Sequence, residues 1–312
     1  MRRALALLVL AAALAACGGG STGRPEVVIA LDFVPNAVHA PIYEAVQQHF
    51  DRAHGIALQI RKPGSGPDSA ALVASGKVDL GVLDIHDLAI ARERGTDLVA
   101  IGELVDRPLA ALIGQPGLKR PRDLEGRTVG VSGLPSDPAF LKAIVTHDGG
   151  DYAKVHQVTI GFAAVSRLLS KRVDAVPAFW NAEGVALKRR GLNVSEFRVE
   201  DYGAPPYPEV VLITSRKTLQ AHRDRLRRAL AAIDDGRRYA LAHREQAAQT
   251  IARAAESSDL GLQRAELDAV APILAPGLRF DKPVLERWAT FDARIGIVKR
   301  PPHVNRAFDF HL

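Results

Sequence analysis

Three stretches of the sequence place hydrogen-bonding side chains beside aromatic rings. Asp32-Phe33-Val34-Pro35-Asn36-Ala37-Val38-His39 holds an acid, an aromatic, an amide and an imidazole in one short run. Asp84-Ile85-His86 pairs a carboxylate with a second imidazole, and Phe179-Trp180-Asn181-Ala182-Glu183 sets an indole beside an amide and an acid. Ser132, Ser65, Gly66 and Tyr207 add hydroxyls, pliable backbone and a further ring. Asp32, Asn36, Asp84 and Glu183 can accept from ring N–H or amino groups, while Trp180, Phe33 and Tyr207 can stack on a flat ring. This vocabulary suits a planar, nitrogen-rich molecule, for which a missed partner in a dry cleft costs roughly 1–3 kcal/mol. Each residue also has a plainer role open to it. Asp32 or Asp84 can cap a helix, His39 and His86 can be scaffold, Trp180 can be core, and Lys62 can be a solvated strand end.

The elements around these stretches alternate. Val27-Val28-Ile29-Ala30-Leu31, Ala57-Leu58-Gln59-Ile60 and Leu80-Gly81-Val82-Leu83 read as strands, each followed by helical spacing: 41–50, 68–75 and 87–94. A second unit repeats the pattern, with strands at 128–131, 155–160 and toward Pro177, and helices at 136–146 and 164–170. Such alternation predicts parallel sheets covered on both faces. Crossings at 109–113 and 210–214 make the second unit, 114–208, an insertion into a first made of 26–113 plus 209–312. Beyond Leu219 the chain reads as amphipathic helix broken at Pro272, Pro276-Gly277 and Pro283. Two α/β lobes with two connections form a hinge around a cleft. Ligands of open α/β sheets sit beyond the carboxyl ends of the strands, which is where the chemically equipped stretches fall.

The 312 residues carry 41 Lys+Arg against 35 Asp+Glu, and hydrophobic residues make up 47%. That composition excludes a disordered chain. The basic residues are dispersed; the densest run, Arg223 to Arg228, contains Asp224 and reads as a solvated helix face, and no nucleic-acid motif appears. A single Cys excludes a disulfide framework. It stands at position 17, after Arg2, Arg3 and an apolar run too short for an ordinary spanning helix. Residues 1–16 therefore read as an export signal, and the Gly-rich 17–25 as a tether. No metal-ligand spacing and no Gly-x-Ser-x-Gly elbow is present, and no cofactor is expected.

Leu14-Ala15-Ala16-Cys17 resembles a bacterial lipobox, which implies lipidation of Cys17 and anchoring at a membrane; a plain signal peptide with an incidental Cys is the alternative. Leu31-Asp32-Phe33-Val34-Pro35-Asn36-Ala37-Val38-His39-Ala40-Pro41-Ile42-Tyr43 resembles the opening of substrate-binding proteins related to thiamine-pyrimidine synthases. Ser75-Gly76-Lys77-Val78-Asp79, Phe179-Trp180-Asn181-Ala182-Glu183-Gly184 and Tyr202-Gly203-Ala204-Pro205-Pro206-Tyr207-Pro208 extend the likeness. The resemblance implies a type II periplasmic binding fold serving an ABC permease as a monomer, with hydroxymethylpyrimidine, formylaminopyrimidine or riboflavin as ligand. It implies Asp32, Phe33, Asn36 and His39 on the large-lobe wall, Tyr43 in support, and Trp180 and Glu183 closing from the small lobe. The rival is a pyrimidine synthase. His86 falls at a synthase histidine position, but Leu83 and Asp84 stand where such enzymes carry a cofactor-holding lysine, and their cysteine cluster is missing. Sulfonates, carried by neighbouring families, usually call for basic groups, whereas these loops are mostly acidic or neutral.

Overall fold

The computed structural model describes residues 23–64 and 68–312. Cys17, Ser65 and Gly66 lie outside the described residues, as does the expected export signal.

Two five-stranded sheets carry the architecture. The first orders its strands β2-β1-β3-β10-β4, where β1 is Glu26–Ala30, β2 Ala57–Arg61, β3 Leu80–Asp84, β4 Leu98–Val105 and β10 Val210–Ser215. The second orders them β7-β6-β8-β5-β9, where β5 is Ala110–Gly114, β6 Thr128–Val131, β7 His156–Thr159, β8 Ala175–Phe179 and β9 Ser195–Arg198. β1 runs parallel to β2 and β3, and β6 parallel to β7 and β8.

The sheets are mixed, which corrects the expectation of parallel sheets. β10 is antiparallel to β3 and β4, and β5 is antiparallel to β8 and β9. The cause is connectivity. Each of these strands belongs to a lobe that the chain has just entered from the other one, so it starts at the facing edge and runs away from it. β4 and β9 are two strands the sequence pattern did not single out. All eight residues of β4 are buried, so the two-residue alternation that marks a half-covered strand is absent.

Helices cover both sheets. The long helix Arg216–Ala242 lies against Ala40–Gln47, and the approach is close enough that a Cβ on Gly236 would collide with the Pro41 carbonyl oxygen. The basic run on this helix is tied down. Arg223 pairs with Asp309, Arg225 with Asp79 and Arg228 with Asp224. Pro283 opens the helix Lys282–Ile295 rather than breaking one, as its fixed φ suits the first turn. No helix among the described residues is long and apolar enough to cross a membrane. One buried apolar cluster runs through Leu88 and Trp288 of the first lobe into Phe140, Leu141 and Val145 of the second, so the lobes meet.

Candidate functional site

A cavity of about 450 Å³ opens where the two sheets face each other. Its walls come from the carboxyl ends of β1, β3, β6, β7 and β8, and from Ala110 and Val210, the first residues of the two crossing strands. The parallel strands and the reversed ones thus converge on one space from opposite directions.

From the first lobe, the loop after β1 supplies Asp32, Phe33, Asn36 and His39. Local bonding holds it. The Asn36 side chain accepts from Val38 N–H at 2.9 Å, and His39 Nδ1 accepts from Asn36 N–H at 3.2 Å. With Nδ1 an acceptor, the ring proton sits on Nε2 and is donated to Asp32 Oδ1 at 2.9 Å. His39 is therefore the brace that sets Asp32 against the cavity. After β3, Asp84 caps the helix Ile85–Glu93 by accepting from His86 N–H at 2.7 Å, and Asp84, His86 and Asp87 line the floor.

From the second lobe, Ser132 donates to Asp137 Oδ2 at 2.9 Å, and the same oxygen accepts from Gly133 N–H at 3.0 Å. Phe162, beyond β7, meets Phe33 edge to face across the lobes, with centroids 4.3 Å apart and planes at 62°. Phe179 and Glu183 complete this wall, and the Glu183 carboxylate accepts from Phe179 N–H at 3.1 Å.

The acids are electrostatically unusual. Burial pushes the Asp87, Asp137 and Glu183 carboxyls up from their ordinary range. Asp84 is pushed well up, by burial first and by the neighbouring Glu209 next. Burial works to lower the His86 imidazole, but Asp292, Asp84 and Glu209 outweigh it and raise it to about 10. Burial thus favours the protonated form of these carboxyls over what water would allow, and a protonated carboxyl donates where a carboxylate only accepts.

Three expected wall residues, and Tyr43 expected in support, do not line the cavity. Trp180 does not reach the cavity. Its indole lies under the Arg198 guanidinium at 4.1 Å and donates to the Pro108 carbonyl at 3.1 Å, so the ring is spent on the first crossing. Tyr207 is 0% exposed and backs His86, ring centroids 4.8 Å apart. Asn181 is fully buried with neither side-chain polar atom partnered. Tyr43 packs on the first-lobe core, and burial lifts its hydroxyl to about 12. The cavity instead draws its rings from Phe33, Phe140, Phe162 and Phe179. Phe162 was discoverable, since it follows a strand whose carboxyl end the same rule nominates.

Two α/β lobes around a shared cavity are the arrangement of the periplasmic binding proteins. The Candida albicans CA3427 gene product, whose structure shows the generic form of that fold, superposes with a TM-score of 0.69 at 16% identity, over 92% of this chain and 96% of that one. Residues 36–247 match the family described as NMT1/THI5 like, and the chain belongs to it. Within reach by sequence is a formylaminopyrimidine-binding protein of Halalkalibacterium halodurans, 34% identical over 214 residues, which are 68% of this chain and 65% of that one. The match thus spans just under two thirds of that relative. A 4-amino-5-hydroxymethyl-2-methylpyrimidine phosphate synthase of Legionella pneumophila is 27% identical over 170 residues, 54% of each chain.

Proposed function

We propose that this chain is an extracytoplasmic solute-binding lipoprotein of an ABC importer. It captures a planar aminopyrimidine, such as formylaminopyrimidine or hydroxymethylpyrimidine, and hands it to the permease. The observation that carries the reading is the interlobe cavity, lined by phenylalanines from both lobes and by the acids Asp32, Asp84, Asp87, Asp137 and Glu183. Such a space suits a flat ring with amino groups at its edge. Capture works by hinge closure. A guest resting on the Asp32–His39 wall gains its remaining contacts only when the second lobe arrives, and only those contacts shift the equilibrium toward the closed form. The similarity to a formylaminopyrimidine-binding protein supports the ligand class.

The synthase reading is favoured by the Legionella relative and by His86. Against it, no lysine lines the cavity among the described residues, and a cofactor held as a Lys Schiff base needs one. Titration calorimetry of the purified chain against formylaminopyrimidine, hydroxymethylpyrimidine and riboflavin tests the proposal. Saturable one-to-one binding of a pyrimidine is expected. Binding of none of the three, or pyrimidine produced by the chain in the presence of pyridoxal phosphate, overturns it.

A further inference from the structure

Asp84 and His86 at the floor of the cavity, and Glu209 buried just behind it, each place an atom able to ligate a metal within 4.8 Å of the others. The topology makes this happen. β10 pairs with β3 so that Val210 stands opposite Asp84, and Ile85 N–H donates to the Glu209 carbonyl at 3.0 Å. The last residue of β3, the first turn of the following helix and the residue before β10 are thereby brought to one point.

Two of the three side chains are buried with half their bonding capacity unused. His86 is 2% exposed; its Nδ1 is taken by Asp292 Oδ1 at 2.7 Å, and its Nε2 has no partner. Glu209 is 0% exposed; its Oε2 accepts from Leu109 N–H at 2.5 Å and Ala110 N–H at 2.8 Å, and its Oε1 has no partner. An imidazole whose far nitrogen is held by a carboxylate is the usual state of a metal-bound histidine, because that outer bond fixes the ring and strengthens the donor.

We propose that Asp84, His86 and Glu209 form a binding site for a divalent first-row transition ion, with its open positions facing the cavity. One imidazole nitrogen with two carboxylates suits Zn²⁺ or Mn²⁺ better than Ca²⁺ or Mg²⁺, which favour oxygen throughout. An ion about 2.0–2.2 Å from each ligand holds ligand atoms roughly 3–4 Å apart, so modest side-chain rotation closes the triad. The ion would satisfy Nε2 and Oε1 together and offset the repulsion between Asp84 and Glu209. Because Glu209 also grips the backbone of the first crossing, the ion would couple the cavity floor to the hinge.

The test is independent of the pyrimidine reading. The purified chain is incubated separately with Zn²⁺ and Mn²⁺, freed of excess by gel filtration, and its metal measured by plasma mass spectrometry. About one ion per chain is expected for at least one of the two metals. Asp84→Asn and Glu209→Gln, which keep shape and the cap or backbone bonds, are each expected to weaken binding at least 100-fold. No retained metal, or equal retention in both variants, overturns the site; the former outcome leaves a proton as the neutralising partner. If neither variant folds, the Mn²⁺-loaded wild type decides. Electron spin echo modulation from one imidazole nitrogen supports the site, and its absence overturns it. Calorimetry with the pyrimidine on the same samples, with and without chelator, reads the ligand proposal separately.

Discussion

At the scale of single residues, the rings divide into those that face the guest and those that hold the frame. Phe162→Ala is expected to weaken pyrimidine binding by about 1–3 kcal/mol, the range for one lost stacking partner on a base, with the melting temperature of the free protein little changed. Calorimetry beside a thermal melt checks both halves. Trp180→Ala is expected to act the other way round. It removes the bond to the Pro108 carbonyl and the surface on which Arg198 rests, so the free protein loses stability. A melt unchanged while affinity collapses would return Trp180 to the wall. Reading Trp180 as a stacking ring was reasonable from its neighbours Phe179 and Glu183, which do line the cavity. Direction was the missing information. The segment Trp180–Gly184 leaves β8 in a wide turn, so consecutive side chains diverge, and sequence spacing does not say which one points inward.

At the scale of elements, the helix Leu260–Val270 reaches across to the 180–189 segment of the other lobe. Arg189 pairs with Asp259 beside its first turn at 3.4 Å. On it, burial, Glu183 and Asp259 raise the Glu266 carboxyl to about 8. The unfolded chain releases this proton near the ordinary glutamate range, about 4.3, while the folded one keeps it to about 8. Between these points the native state binds more protons, so this group's contribution to stability falls as pH rises and levels off above about 8. Glu266→Gln is expected to raise stability relative to wild type by roughly 1–3 kcal/mol at pH 8.5 and to change little at pH 4. Denaturant unfolding at the two pH values measures it; an equal effect at both would remove the titration from the account.

The elements themselves were unevenly legible. β1, β2, β3 and β6 announced themselves through short β-branched or apolar runs followed by Gly, Pro or acid-rich loops. The loop rule then located Asp32, Asn36, His39 and Ser132 on the cavity. β4 hid because it is buried along its whole length, and its one charged residue, Glu103, is buried with the rest and marks no solvent face. The direction of β5 and β10 hid because strand polarity within a sheet depends on where the chain comes from, which no local pattern encodes. The helix Leu260–Val270 carried no motif, and nothing in the sequence marked its polar residues Gln263 and Glu266 for burial. Both are buried once the second lobe lies against them.

At the scale of the whole molecule, the contacts between the lobes describe a closed clamp. Phe33 meets Phe162, Asp87 accepts from Ser136 N–H at 3.1 Å, and Arg294 donates to the Gly203 carbonyl at 2.8 Å. Few of these bonds are strong alone, and an open form that wets Asp87 would recover part of their worth. A pyrimidine is therefore expected to reduce the radius of gyration in small-angle scattering, and Asp87→Ala to weaken the ligand by loosening closure. A radius independent of ligand would argue for a clamp that never opens. The N-terminal expectation belongs to this scale as well. Replacement Cys17→Ser should move the protein from the membrane fraction to the soluble one on cell fractionation, and continued retention would reject a lipid tether.

Glu209 ends β10's approach and, through one carboxylate oxygen, grips the amides of Leu109 and Ala110. The outgoing and incoming chains are thus stitched together where they cross between the lobes. Any bending at this crossing therefore has to carry both strands together, held by an acid that lies behind the cavity wall. Ala110 and Val210, at either end of that stitch, line the cavity, so an occupant touches the crossing itself.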